Sequence, residues 1–301
     1  ATFHQFMRSP LKISKLNSIF ITHMHGDHVF GLPGLMCTLS GNRTEPLTIH
    51  GPRGIKDFCK IFDKSIHSFK LTVYEYGDNY NDICLINIGN FSVHVESCRI
   101  RHTTDCFAYS FTQRKIKSKI NISKLNPVLS EYKTEIEELG YSPVKTLIGK
   151  FCSNKDLSIE FKNKVNGEKV IVKATDYIIN EPDFKLVVAL DNYNCENIFT
   201  YFKKCNVLIH ESTYSILSNE TAEQIKETTR KAISYGHSTS LMAAKNAQKM
   251  DAETLILTHF SNRYDIKDGK MVDEESIITA CRDDGFDGNI FAAYDFRIFN
   301  F

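Results

Sequence analysis

The sequence predicts a mixed α/β domain, and three observations carry that prediction. Short apolar runs of strand length alternate with helix-like windows along both halves of the chain. A dense group of histidines and an aspartate stands directly after the first of those runs. A basic segment free of acidic residues interrupts the rhythm in the middle.

The first run, Ile19-Phe-Ile-Thr22, breaks into His23-Met-His-Gly-Asp-His28 and then Gly31-Leu-Pro-Gly34, the signal of a strand passing through a loop into a helix. Strand-like or helix-like stretches follow at 48–51, 55–63, 70–76 and 91–97. In the second half, residues 185–190, 207–209, 254–257 and 289–293 read as short apolar strands, separated by helical windows at 196–204, 220–234, 239–250 and 274–283. The chain therefore divides into a first half at 1–112, an inserted arm at 113–183 and a second half at 184–301.

The arm is read from composition. No acidic residue occurs between Cys106 and Ser130, while Arg114, Lys115, Lys117, Lys119 and Lys124 crowd together. Asn126-Pro127 predicts a helix start, with Leu129, Tyr132, Ile136 and Leu139 on the apolar face and a stop at Gly140. Asn166-Gly167 predicts a tight hairpin. The alternative is a solvated surface segment with no binding role.

Bulk properties bound the rest. A length of 301 residues with 42% hydrophobic residues suffices for one enzyme-sized unit. A net charge of +1 excludes a uniformly cationic nucleic-acid binder and leaves local basic patches open. The cysteines number nine, with no Cys-x-x-Cys pair, so neither a disulfide framework nor a zinc-thiolate site is indicated, and a reducing compartment (cytoplasm, nucleus or an organelle) is expected. No apolar run has the length of a membrane span. The chain opens at Ala1, polar and basic, and any targeting segment is expected upstream of it.

His23, His25, Asp27 and His28 put four metal-ligand side chains within six residues, and the spacing of His23 and His25 aims both imidazoles the same way off a strand end. A lone histidine is usually a satisfied core or surface residue; a cluster this dense points to a cation. His102, Asp191 and His259 each stand where a predicted strand runs out. Together the candidates comprise five histidines and two carboxylates, enough for two ions. The nitrogen and oxygen set favours zinc, with manganese or iron as alternatives. Such a pair acidifies a water and stabilises charge on a phosphate. His237, in Gly236-His-Ser-Thr-Ser240, is free for proton transfer, and Glu211, after the 207–209 strand, is placed to orient it. The bland reading is a helix cap at Ser238 or Thr239 beside an incidental histidine. His4, His50, His67 and His94 are read as structural.

At this point His23-Met-His-Gly-Asp-His28 with Val29-Phe-Gly-Leu-Pro-Gly34 resembles the metal motif of the ribonuclease Z family, the tRNA 3′-trailer endonucleases. The resemblance continues through His50-Gly-Pro-Arg-Gly-Ile55, His102 with Phe107-Ala-Tyr109, His210-Glu-Ser-Thr-Tyr214, Gly236-His-Ser-Thr239, Leu257-Thr-His-Phe-Ser-Asn-Arg-Tyr264 and Ala293-Tyr-Asp-Phe296.

It implies a metallo-β-lactamase αββα sandwich whose first strands lie before Ala1. By the resemblance His23, His25 and His102 would hold one zinc ion, Asp27, His28 and His259 the other, and Asp191 would bridge them. Asp27 would also act as base, His237 with Glu211 would protonate the leaving group, and Arg263 would lie near the scissile phosphate. The reaction implied is hydrolysis of precursor tRNA after the discriminator nucleotide, leaving a 3′-hydroxyl on the tRNA and a 5′-phosphate on the trailer, by a homodimer. The arm would clamp the tRNA elbow through Arg114, Lys115, Lys117 and Lys119, since phosphate contacts give affinity without reading bases. Two departures stand out. Tyr141-Ser-Pro-Val-Lys145 replaces the family's Gly-Pro turn, and Asp191 is followed by Asn192 where a Gly-Asp-Thr type of segment is usual.

Two other readings remain open. A small-molecule phosphodiesterase or other hydrolase of the same fold shares the metal cluster and needs no arm. A catalytically silent RNA- or partner-binding module is disfavoured by the presence of all seven ligands with Glu211 and His237.

Overall fold

Parallel strands buried on both faces need near-continuous apolar sequence, and the second half supplies it. Strands β7 (Phe184–Ala189), β8 (Val207–Glu211), β9 (Thr254–Thr258) and β10 (Asn289–Ala292) lie side by side in parallel. The sheet is completed by β4 (Tyr80–Ile88), β5 (Phe91–Arg101) and β6 (Asp105–Lys115), giving seven strands in the order β10-β9-β8-β7-β6-β5-β4. A second, parallel sheet has three strands, β1 (Ser18–Phe20), β2 (Leu47–Pro52) and β3 (Leu71–Tyr76). The computed structural model describes residues 2–41, 43–64, 66, 68–264, 266–267, 270–271 and 273–301; His67 lies outside them.

Each sheet is backed by helices. Helices α1 (Leu32–Ser40) and α2 (Ile55–Asp63) bury Met36, Leu39, Ile55 and Phe62 with Leu47 and Ile49 of the small sheet. On the large sheet, α4 (Ser240–Lys249) and α5 (Glu274–Asp283) pack Ala243, Ala247 and Ile277 with Leu208, Leu255 and Leu257. The intervening α3 (Ala222–Ser234) starts with a capping box in which Thr221 accepts from the Gln224 backbone and the Gln224 side chain accepts from the Thr221 backbone. Tyr109 of β6 joins the two sheets: its ring lies 5.5 Å from that of Phe20, and its buried hydroxyl donates to the Ile21 carbonyl at 2.6 Å. The layers are those of the expected sandwich.

Two compact units are resolved. The first contains residues to Cys84, Val95–Phe111 and Lys185–Phe301; the second contains Leu85–His94 and Thr112–Phe184. The second unit thus takes in residues 85–94, which the sequence reading left in the first half, because they form the β4-β5 turn. Its core gathers Leu125, Leu129, Ile136, Leu147, Phe151 and Phe161, and Ser158–Lys162 pairs with Lys169–Lys173 as a hairpin turning at Gly167, whose φ is +74°. The arm helix corrects the sequence reading. It runs Ile122–Glu131 and begins at Asn121, whose side chain accepts from Lys124 N–H, with Pro127 inside it. Asn126 is therefore not the cap; Asn121 had the same chemistry five residues earlier.

Tyr109→Phe should leave the Ile21 carbonyl unpaired and cost about 1–3 kcal/mol. Urea unfolding of the two proteins checks this.

Candidate metal centre

Register decides where the candidate ligands go. Ala189, His210, Leu257 and Ala292 are aligned across β7 to β10, so the segments that follow these residues emerge at one edge of the sheet, the usual ligand edge of a parallel sheet. Asp191, Glu211 and His259 all occupy it. His102 follows β5 directly. His23 follows β1 by three residues, and its approach is fixed because Phe107 N–H donates to the Thr22 carbonyl at 2.9 Å. Asp27 and His28 lie in the short helix Gly26–Val29 that His25 precedes.

All seven candidates converge. His23 Nε2 lies 3.1 Å from His25 Nδ1, which lies 3.3 Å from His102 Nε2. His28 Nε2 is 3.5 Å from Asp27 Oδ2. Asp191 stands between the groups: Oδ2 is 3.6 Å from His28 Nε2, 3.7 Å from His23 Nε2 and 3.9 Å from His102 Nε2, while Oδ1 is 3.3 Å from His259 Nε2. His23, His25 and His102 form one compact donor group, and Asp27, His28 and His259 another. His237 also falls within a group with Asp191 and His259.

The hydrogen-bond directions fit cations in these gaps. His102 Nδ1 donates to the Gly236 carbonyl at 2.7 Å, so its Nε2 presents a lone pair. Burial, together with the neighbouring imidazoles, pushes the His23 pKa down to about 3, so the ring is neutral and ready to coordinate. Asp191 Oδ1 is buried with no hydrogen-bond partner, a costly arrangement unless a positive charge answers it. Burial would raise the Asp191 pKa, but the His28 hydrogen bond and the charges of His259, His28 and His23 hold it well below the carboxylate range. Donor atoms about 2.0–2.1 Å from one tetrahedral zinc sit roughly 3.4 Å apart, close to the nitrogen separations found here.

Glu211 and His237 do meet: His237 Nδ1 donates to Glu211 Oε1 at 3.1 Å. Burial works to lower the His237 pKa, but the hydrogen bond and charge of Glu211 outweigh it and the pKa is raised. The capping function falls to Thr239, whose side chain accepts from Met242 N–H, while Ser238 Oγ donates to the Asn192 carbonyl. Asn192, the unusual neighbour of Asp191, is held as well, its N–H donating to Glu211 Oε1 at 2.5 Å. Arg263 is exposed; its guanidinium lies 4.4 Å from the Tyr214 ring centroid and Nε donates to Ser261 Oγ.

Three of the four arm cations are engaged in ion pairs. Arg114 pairs with Asp183 at 2.7 Å, and Lys115 and Lys119 both pair with Glu181. Carboxylates more than sixty residues away neutralise them, which a local count of charges does not register. Of the four, Lys117 alone makes no ion pair among the described residues. Of the histidines read as structural, His50 stacks between Phe20 and Tyr74 and bonds Tyr76. The sequence reading missed Gly236 and Thr213. Gly236 has φ +81°, and a Cβ there would lie 2.9 Å from His102 Nδ1; its one signal was a glycine at a helix approach.

No family model matches the chain. A ribonuclease BN of Proteus mirabilis is 33% identical over 89% of this chain and 78% of its own length, and a ribonuclease Z of Bacillus cereus is 30% identical over 88% and 76%. The chain belongs to the ribonuclease Z family. Two solved structures show the fold: the short form of human tRNase Z (22% identity, TM-score 0.56, 99% of this chain and 84% of that one) and a metallo-β-lactamase fold protein of Bacillus subtilis (14%, TM-score 0.52, 98% and 81%). In this ribonuclease Z family member the fold is the metallo-β-lactamase sandwich that the motifs implied.

Gly236→Ala should push the His102 ring out of line and weaken zinc binding by about 10-fold or more, measured by equilibrium dialysis. Unchanged affinity would mean that Gly236 does not position His102.

Proposed function

We propose that this chain is a metal-dependent endoribonuclease that removes the 3′ trailer of precursor tRNA, cutting after the discriminator nucleotide to leave a tRNA 3′-hydroxyl and a trailer 5′-phosphate. The observation that carries the reading is the convergence of seven ligand side chains beside an interacting Glu211–His237 pair, in a chain of this family. His23, His25 and His102 would hold one zinc ion, Asp27, His28 and His259 a second, with Asp191 shared. Bound there, the two ions supply Lewis acidity toward the scissile phosphate and lower the pKa of a water.

The remaining work belongs to the protein. The Asp27 side chain is 74% exposed, open to solvent and substrate, and takes the proton from the attacking water. His237 uses Nδ1 on Glu211, which leaves Nε2 to protonate the departing 3′ oxygen. Arg263, braced on Tyr214 and without a carboxylate partner among the described residues, offers its guanidinium to the phosphate. In the second unit Lys117, Lys145 and Lys150 are exposed, and we assign this unit to holding the tRNA through its backbone. The assembly proposed is a homodimer.

With labelled precursor tRNA and added zinc or manganese, cleavage after the discriminator nucleotide is expected. Asp27→Ala should lower kcat by about 100-fold or more, and deletion of residues 114–170 should weaken affinity and its salt dependence more than kcat. Intact RNA alongside hydrolysis of a simple phosphodiester would transfer the protein to the small-molecule hydrolases. The pH profile is a second check. An acid must be protonated to act, so the rate falls as pH rises through the raised His237 pKa. Glu211→Gln removes the cause of that raising, and the alkaline descent should move to lower pH. A descent left in place would mean that His237 is not the acid.

A further inference from the structure

Thr213, two residues beyond Glu211, has a side-chain hydroxyl with three polar neighbours. Its Oγ1 lies 2.6 Å from Glu211 Oε2, 2.8 Å from His259 Nδ1 and 3.3 Å from His237 Nδ1. A hydroxyl has one hydrogen to give. The carboxylate oxygen only accepts, so that hydrogen goes to Glu211. The lone pairs of Oγ1 must then accept, and His259 Nδ1 is the donor within best reach. With its hydrogen fixed on Nδ1, His259 carries its lone pair on Nε2, 3.3 Å from Asp191 Oδ1, an oxygen with no hydrogen-bond partner. Nε2 then has no hydrogen to give that oxygen, and two lone-pair-bearing atoms this close repel unless a cation is shared by them.

The backbone supports the same arrangement. His259 has φ +59°, a left-handed conformation that a non-glycine residue adopts only when its surroundings impose it. Thr213 contributes to that imposition twice, since its carbonyl accepts from Ser261 N–H at 3.3 Å while its hydroxyl holds the imidazole. On the other side, Glu211 Oε1 accepts from His237 Nδ1 and from Asn192 N–H, next to Asp191. One hydroxyl thus joins a ligand of one donor group to the carboxylate that serves the acid.

We propose that Thr213 is a positioning residue: it fixes the tautomer and orientation of His259 for the ion held with Asp27 and His28, and couples that ion site to the Glu211–His237 pair. The inference rests on the two-ion reading of the centre.

The test is the release of zinc from the full chain to a chromophoric chelator, resolved into two steps. Thr213→Val keeps the branched shape and removes the hydroxyl; it should weaken one step by about 10- to 100-fold and leave the other unchanged. Thr213→Ser, which restores the hydroxyl, should restore that step. His259→Ala should weaken the same step, and adding Thr213→Val to it should cause no further loss, as expected if the threonine acts through the histidine. Two wild-type steps in Thr213→Val, or full additivity with His259→Ala, would overturn the proposal. Thr213→Ala, read in the same way, replaces the valine variant if that protein does not fold by circular dichroism. Fewer than two bound ions in the wild type would instead defeat the two-ion reading itself.

Discussion

A buried carboxylate that must be satisfied governs the geometry of this centre. Glu211 is inaccessible to solvent, and an isolated charge there would be very costly. Its four donors are Asn192 N–H, Thr213 N–H, the Thr213 hydroxyl and His237 Nδ1. Burial works to raise its pKa, but the bonds from His237 and Thr213 prevail and lower it. Each donor belongs to a segment of the candidate centre: Asn192 follows Asp191, the proposed shared ligand, His237 is the proposed acid, and Thr213 bears on His259. The need of one side chain for hydrogen bonds therefore places three others.

Sheet register supplies the frame for this network, and backbone strain completes it. Parallel pairing brings the ends of β7, β8 and β9 to one edge, which is why residues as far apart as 191, 211 and 259 meet. The last adjustments use rare conformations. His259 sits in the left-handed region, and Gly236 has a positive φ with no room for a side chain beside His102. A positive φ costs glycine little, but at His259 it is unfavourable locally and persists only because neighbours impose it, Thr213 among them.

Much of this was legible in the sequence, and the exceptions have physical causes. The candidate ligands are visible because each stands at or just beyond the end of an apolar run, where periodicity stops and a polar residue begins. The segment 55–63 reads as a helix because Ile55, Cys59 and Phe62 recur on one face. By contrast β4 was invisible: it is an edge strand carrying Asn81, Asp82 and Asn87, with no residue fully buried and no clean alternation. Asn121 and Asn126 offer the same cap chemistry, and nothing local separates them. The ion pairs of Arg114 and Lys115 depend on Asp183 and Glu181, brought near only by folding. The role of Thr213 depends on which way a hydroxyl hydrogen points, a property of three-dimensional neighbours and not of spacing.

The most direct measurement of the central claim is a crystal structure of the zinc-loaded protein with anomalous scattering at the zinc edge. Two peaks are expected, one in contact with His23, His25 and His102, the other with Asp27, His28 and His259, with Asp191 touching both. A single peak, or two peaks that leave Asp191 Oδ1 without a cation, would contradict it.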